Sequence, residues 1–150
     1  MLSSSEPSET SVVEVTFPAT SADVSIQLEK VQGVVAIHMP VDDLRSDFLI
    51  VLGEVLNNIV EHAYADAGSD KAVHLRLTFG ADRVEVETRD IGRAMPRRTL
   101  PKGNAPTLEV ERDHLPEGGF GWYLIQMLAR DLTYSRSDDQ NILRFAMPLL

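Results

Sequence analysis

Two hydrophobic periods alternate along the chain. From Val12 to Phe17 (VVEVTF) apolar residues alternate loosely until Pro18, which predicts an edge strand. Val24, Leu28, Val31, Val35 and Met39 then recur at helical spacing. They predict a helix capped by Thr20 or Ser21 and running to about His38. Gly33 and the Val34-Val35 pair also fit a strand over 33–38, and Pro40 ends the element in either case.

The next periodic stretch is the one around which the chain is organised. At about 100° per residue, Phe48, Leu52, Val55, Ile59 and Ala63 fall on one side of a helix. Glu54, Asn58, Glu61 and His62 fall on the other, with Asn57 at its edge. Asp42 or Asp43 is the expected cap, and Tyr64 lies near the end.

Residues 65–70 are small and polar, as in a loop. Ala72–Phe79 alternates well, Gly80-Ala81-Asp82 reads as a hairpin turn, and Arg83–Arg89 alternates again. Periodicity vanishes from Ile91 to Gly119, a segment with four prolines and four glycines. Connections this long are functional or disordered, so a lid over a ligand and a disordered insertion both fit. Phe120–Arg130 is a helix opening from a glycine cluster, and 132–135 with 142–147 make a last hairpin around a polar turn at 137–140. The pattern predicts an α+β fold: a two-layer α/β sandwich with helices on one face of a mixed, mostly antiparallel sheet. Residues 1–11 are expected to be a flexible tail, and 12–150 one domain with its lid at about 91–119.

Composition narrows the classes. A hydrophobic fraction of 43% in 150 residues supports a packed core. The absence of cysteine excludes disulfides, thiolate metal sites and thiol nucleophiles. A net charge of -9 disfavours direct binding to nucleic acid and favours a basic protein partner. There is neither a signal-peptide pattern nor an apolar run of membrane length, so a soluble cytoplasmic protein is expected.

Three stretches carry chemistry. Glu54 and Asn58 are four residues apart, neighbours on a helix surface. A carboxylate there can accept a proton, and an asparagine oxygen can hold magnesium that also carries phosphate oxygens. A solvated helix face has the same composition. Asp90-Ile91-Gly92 ends a strand: the carboxylate can accept from an exocyclic amine, and glycine lets a flat ring approach, while a plain turn reads the same way. Glu117-Gly118-Gly119-Phe120-Gly121 opens a helix, where free N–H groups suit phosphates, though an ordinary turn can look alike.

Taken together, Glu54-x-x-x-Asn58-x-x-x-His62-Ala63-Tyr64, Asp90-x-Gly92 and Leu115-Pro116-Glu117-Gly118-Gly119-Phe120-Gly121 resemble the histidine-kinase-like ATPase superfamily. Within it they resemble the small stand-alone anti-sigma-factor serine kinases of bacteria, over residues 12–148. The resemblance implies binding of ATP with Mg²⁺, phosphorylation of a serine on an anti-anti-sigma protein, and sequestration of a sigma factor. By motif, Glu54 would be the catalytic base or water-orienting group and Asn58 the magnesium ligand. Asp90 would read the adenine amine beside Gly92, and Gly119, Phe120 and Gly121 would lie at the phosphates. His62 matches a motif position, with a structural role beneath the pocket as one reading. Family members often form homodimers.

The sequence departs from the family where Asp-x-Gly is commonly followed by a second glycine and an aromatic. Arg93-Ala94-Met95-Pro96 stand there instead, and Ala94 restricts the backbone. Arg93, Arg97, Arg98 and Lys102 put cations in the lid's first half, with Arg93 or Arg97 the best placed to offset phosphate charge; solvated surface charges read the same way. Histidine sensor kinases share the fold but need a dimerising helical pair, for which this sequence has no room. The alternative to a kinase is a regulatory module that binds nucleotide, or none, and sequesters a partner without phosphoryl transfer.

Overall fold

The computed structural model describes residues 10–64, 71–101 and 119–150. Its sheet consists of β1 (Ser11–Pro18), β2 (Ala72–Phe79), β3 (Arg83–Asp90), β4 (Arg130–Ser137) and β5 (Gln140–Pro148), ordered β1-β2-β3-β5-β4. All four pairings are antiparallel, so the parallel pairing that a mixed sheet includes is absent among the described residues. β1 is an edge strand, as its terminal proline predicts. β5 lies between β3 and β4, which sets Asn141 opposite Asp90.

Three helices cover one face: α1 (Ser21–His38), α2 (Asp42–Asn58) and α3 (Gly119–Leu128). The predicted stripes are the buried ones, except that Leu28 and Ala63 are only partly buried. Val24, Val31, Val35 and Met39 from α1 and its cap, and Phe48, Leu52 and Val55 from α2, pack onto Val73, Leu75, Leu77 and Phe79 of β2. Val51 and Leu56 are fully buried too, so the apolar face of α2 is wider than the single stripe indicates. α1 runs unbroken through Gly33, which settles the helix against the strand alternative.

Three boundaries differ from expectation. Thr20 caps α1 by accepting from the Asp23 N–H, but α2 is preceded by Val41 with no side-chain cap. Asp42 and Asp43 stand instead in the first turn, where their charge complements the helix dipole. α2 also gives way at Ile59–Ala63 to a π-helical turn, in which the Tyr64 N–H reaches back to the Ile59 carbonyl. α3 stops at Leu128, and Arg130 already pairs with Ala146 in β4, where a bulge between Arg130 and Thr133 has Asp131 at φ 53°. The expected tail over 1–11 lies largely outside the described residues, as does the lid over 102–118.

The other sheet face carries polar side chains. Glu87 is 6% exposed there and lies 3.2 Å from Arg76, 3.0 Å from Arg89 and 2.7 Å from Arg144. Burial alone raises its pKa, but the hydrogen bonds of Arg89 and Arg144 and the charges of Arg76 and Arg89 outweigh that and hold it low.

Candidate functional site

Strand alternation aims Val84, Val86, Thr88 and Asp90 of β3 at the helices, so two polar groups end an otherwise apolar row. Asp90 is 6% exposed. Its Oδ1 accepts from the Gly92 N–H at 3.0 Å and from Asn141 Nδ2 at 2.8 Å. Burial pushes the Asp90 pKa up; Asn141, the Gly92 N–H and the Arg136 charge oppose that only in part.

Asn141 is the hub. Its Nδ2 also donates to the Arg93 carbonyl at 2.8 Å, and its Oδ1 accepts from Tyr134 Oη at 2.6 Å and Arg136 at 2.9 Å. Tyr134 Oη in turn accepts from the Met95 N–H at 3.0 Å, and Arg136 donates to the Gly92 carbonyl at 2.8 Å. The backbone from Gly92 to Met95 is therefore hung from β4 and β5.

The π-helical turn holds the other side of this segment. Tyr64 Oη accepts from the Ile91 N–H and donates to the Ala72 carbonyl, both at 2.8 Å. Burial raises the Tyr64 pKa, the Ile91 N–H lowers it and the Asp90 charge adds to the rise, so the hydroxyl keeps its proton. The Ala63 carbonyl accepts from the Arg93 N–H at 2.7 Å, and the His62 carbonyl accepts from the Arg93 guanidinium at 3.0 Å. Gly92 is required here: a Cβ would stand 2.5 Å from the Ala63 oxygen.

The acidic face of α2 meets the start of α3. Asn58 Nδ2 donates to the Glu54 carbonyl at 2.8 Å, which fixes the carboxamide and leaves Oδ1 as its other polar atom. A Cβ on Gly121 would lie 2.3 Å from Glu54 Oε2 and 3.8 Å from Asn58 Nδ2. The first turn of α3 thus sits directly on the Glu54–Asn58 pair.

Between these two ends lies a cavity of about 490 Å³. Asp90, Thr88 and Asn141 line one end of it, with Asn58, His62 and Trp122 from the helices. Its walls also include Val55, Ile59 and Met95, an apolar slot suited to a flat ring. Thr88 Oγ1 is buried without a hydrogen-bond partner among the described residues.

The sequence-predicted residues come together unevenly. Asn58, Asp90, Gly92, Gly121 and Glu54 converge on the cavity or its rim. Gly119 and Phe120 open α3. Arg93 lines the cavity while its guanidinium bonds the His62 carbonyl. Arg97 sits at φ 57° in a short 3₁₀ turn (Pro96–Arg98), exposed and outside the cavity lining. Glu117, Gly118 and Lys102 lie outside the described residues. Asn141, Tyr134, Arg136 and Thr88 were missed. Asn141 and Thr88 had a signal: each is a polar residue on the inward-facing phase of an alternating strand.

The model of the histidine kinase-like ATPase domain family matches residues 17–147. Two solved structures share the fold. The histidine kinase domain from the Erythrobacter litoralis EL346 blue-light activated histidine kinase superposes with a TM-score of 0.53 at 18% identity, covering 84% of this chain and 61% of that one. The mycobacterial sensor histidine kinase MprB gives 0.51 at 14%, covering 89% and 97%. The chain belongs to the histidine kinase-like ATPase domain family. Within that family it is 30% identical over 136 residues to the serine-protein kinase RsbW of Bacillus mycoides (strain KBAB4), spanning 87% of this chain and 81% of the relative. RsbW of Bacillus thuringiensis subsp. konkukian (strain 97-27) is 30% identical over 135 residues with the same coverage. The chain is thus a protein serine kinase by family, which bears out the resemblance read from its motifs, and its family implies the use of ATP. No helix among the described residues is long and apolar enough to cross a membrane.

Proposed function

We propose that this kinase transfers the γ-phosphoryl group of ATP to a serine of an anti-anti-sigma protein, and that it also sequesters a sigma factor. The observation that supports the transfer chemistry is one cavity lined by both the buried Asp90 carboxylate and Asn58, with Asn58 in turn bonded to Glu54 and the two of them meeting α3 at Gly121. The kinase relatives named above support the choice of serine.

In this reading the adenine enters the apolar slot and its amine donates to Asp90. Oδ1 already accepts two hydrogen bonds, so Oδ2 is the oxygen that receives the amine. The triphosphate extends toward the first turn of α3, where Gly119 and Gly121 allow close backbone approach. Glu54 takes the proton of the substrate serine hydroxyl as its oxygen attacks the γ-phosphorus. The β–γ bridging bond breaks and ADP leaves. Catalysis comes mainly from positioning and charge stabilisation.

Magnesium is part of the proposal. Mg²⁺ keeps waters and phosphate oxygens and needs only one or two protein oxygens. Asn58 Oδ1, oriented by the Nδ2 hydrogen bond and beside the Glu54 carboxylate, fits that demand. Bound there, the ion would neutralise phosphate charge. Arg93 and Arg97 are proposed to add positive charge on the lid side, Arg93 from its place in the cavity wall. A homodimer and a cytoplasmic location belong to the same proposal.

The experiment is transfer of labelled phosphate from ATP to a purified anti-anti-sigma protein, by wild type and Glu54→Ala. Transfer by the wild type and its loss in the variant, with ATP binding kept, is the expected result. ATP binding without transfer by the wild type would leave sequestration as the function.

A further inference from the structure

Asn141 uses both ends of its carboxamide to join three segments of the chain. It bonds Asp90, the lid's first carbonyls and two side chains of β4 at once. The side chain is 5% exposed and lines the cavity. Its donors and acceptors are sorted by partner. Nδ2 donates to Asp90 Oδ1, the Arg93 carbonyl and, at 3.5 Å, the Gly92 carbonyl; Oδ1 accepts from Tyr134 Oη and Arg136. A flip of the amide would set Oδ1 against Asp90 Oδ1 and the Arg93 carbonyl and Nδ2 against the Arg136 guanidinium, so Arg136 fixes which atom meets Asp90, and Tyr134 Oη donates to the Oδ1 so placed.

We propose that Asn141 is a base-specificity residue of this kinase. Set by Tyr134 and Arg136, it locks the Asp90 carboxylate in the one rotamer that offers Oδ2 to the adenine amine, and it ties that rotamer to the position of the lid's first residues. It acts through Asp90 and is a positioning residue. The proposal rests on the nucleotide reading above and adds to it a determinant from the last strand. Without Asn141, Asp90 keeps one hydrogen bond among the described residues, from the Gly92 N–H, and the Arg93 carbonyl loses its donor from β5. The carboxylate can then turn, and preference for a base with an amine falls while general affinity for the nucleotide persists.

The test uses ADP and the diphosphate of purine riboside, which lacks only the exocyclic amine, with fluorescence of Trp122, the single tryptophan and part of the cavity wall, as readout. In Asn141→Leu, ADP should bind about tenfold more weakly while the analogue changes by less than about twofold. Equal weakening of both ligands, or of neither, overturns the proposal.

Asn141→Asp covers the case in which the leucine variant fails to fold. It keeps the shape and still accepts from Tyr134 and Arg136, but its ionised form cannot donate to Asp90. Two carboxylates this close share a proton, and the protonated Asp restores the donor. The charged and titratable groups around the pair are Tyr134 and Arg136 from β4, Arg93 after β3, and Tyr64 and His62 from the π-helical turn and its end. Arg136 favours the ionised form and the carboxylate neighbour opposes it. ADP affinity of this variant should therefore rise as pH falls from about 8 to about 6, whereas that of wild type falls or holds. An Asn141→Asp profile that parallels wild type overturns the proposal. A wild type that binds neither ligand would defeat the nucleotide reading itself, and this inference with it, a result distinct from binding that ignores Asn141.

Discussion

Glu54 leaves no room for a side chain at residue 121: a methyl group on Gly121 would come within 2.3 Å of Glu54 Oε2. The proposed base is thereby packed against the start of the helix that is proposed to hold the phosphates.

Gly121→Ala is expected to separate fold from chemistry. The obstructing atom is the far end of a flexible side chain, so Glu54 can rotate away at small cost in stability. Phosphate transfer should drop by at least about tenfold because the base is displaced, while Tm falls by no more than roughly 2 °C. A parallel kinase assay and thermal melt would check this, and transfer at the wild-type rate would refute the base assignment.

Gly92→Ala should behave differently. Its Cβ would meet the carbonyl oxygen and carbon of Ala63 at 2.5 and 2.7 Å, and backbone cannot swing aside. The expected cost is about 2 kcal/mol of stability, read by urea unfolding, together with weaker ADP binding. A variant as stable as wild type would mean that the π-helical turn yields easily.

Much of this was legible in the chain. The period-3.6 stripes of α1 and α2 and the alternation of β2 and β3 marked the core because burial, a local pattern, decides them. The acidic face of α2 was visible for the same reason. The cavity floor was not, since pairing Asp90 with Asn141 requires β5 to lie beside β3, and no local pattern fixes strand order. The π-helical turn also escaped, because one skipped rung in a helical ladder leaves the hydrophobic period nearly intact. Asp42 and Asp43 have the composition of caps but serve the helix as first-turn charges.

Asp90→Asn is expected to trade function for stability. The folded-state pKa of Asp90 lies above its ordinary 3.8, so the ionised side chain costs the folded state. That cost is absent below 3.8 and complete above the folded value, hence present at neutral pH. Asn keeps an acceptor for the Gly92 N–H and Asn141 without the buried charge. Tm at neutral pH should rise by roughly 2 °C, while ADP affinity falls about tenfold. In wild type, ADP affinity should begin to fall on acidification at a pH above the usual aspartate range. A lower Tm in the variant would contradict the sign.

Thr88→Val probes the lone hydroxyl of the cavity floor. Removing a buried group that has no partner among the described residues, at nearly constant volume, should stabilise the nucleotide-free protein by about 1 kcal/mol. Chemical unfolding without nucleotide measures it, and destabilisation would show that the hydroxyl is already satisfied.

Asp90 and Asn141 bond side by side although 51 residues separate them along the chain. Everything between them, from the lid through α3 and β4, is a loop whose ends that contact closes. Loop-closure entropy grows only logarithmically, so doubling a loop costs about 0.6 kcal/mol more. Changes in the number of residues between Pro101 and Gly119 therefore carry little penalty for the Asp90–Asn141 contact. Two residues far apart in the chain thus share one contact that is nearly indifferent to the length of what joins them.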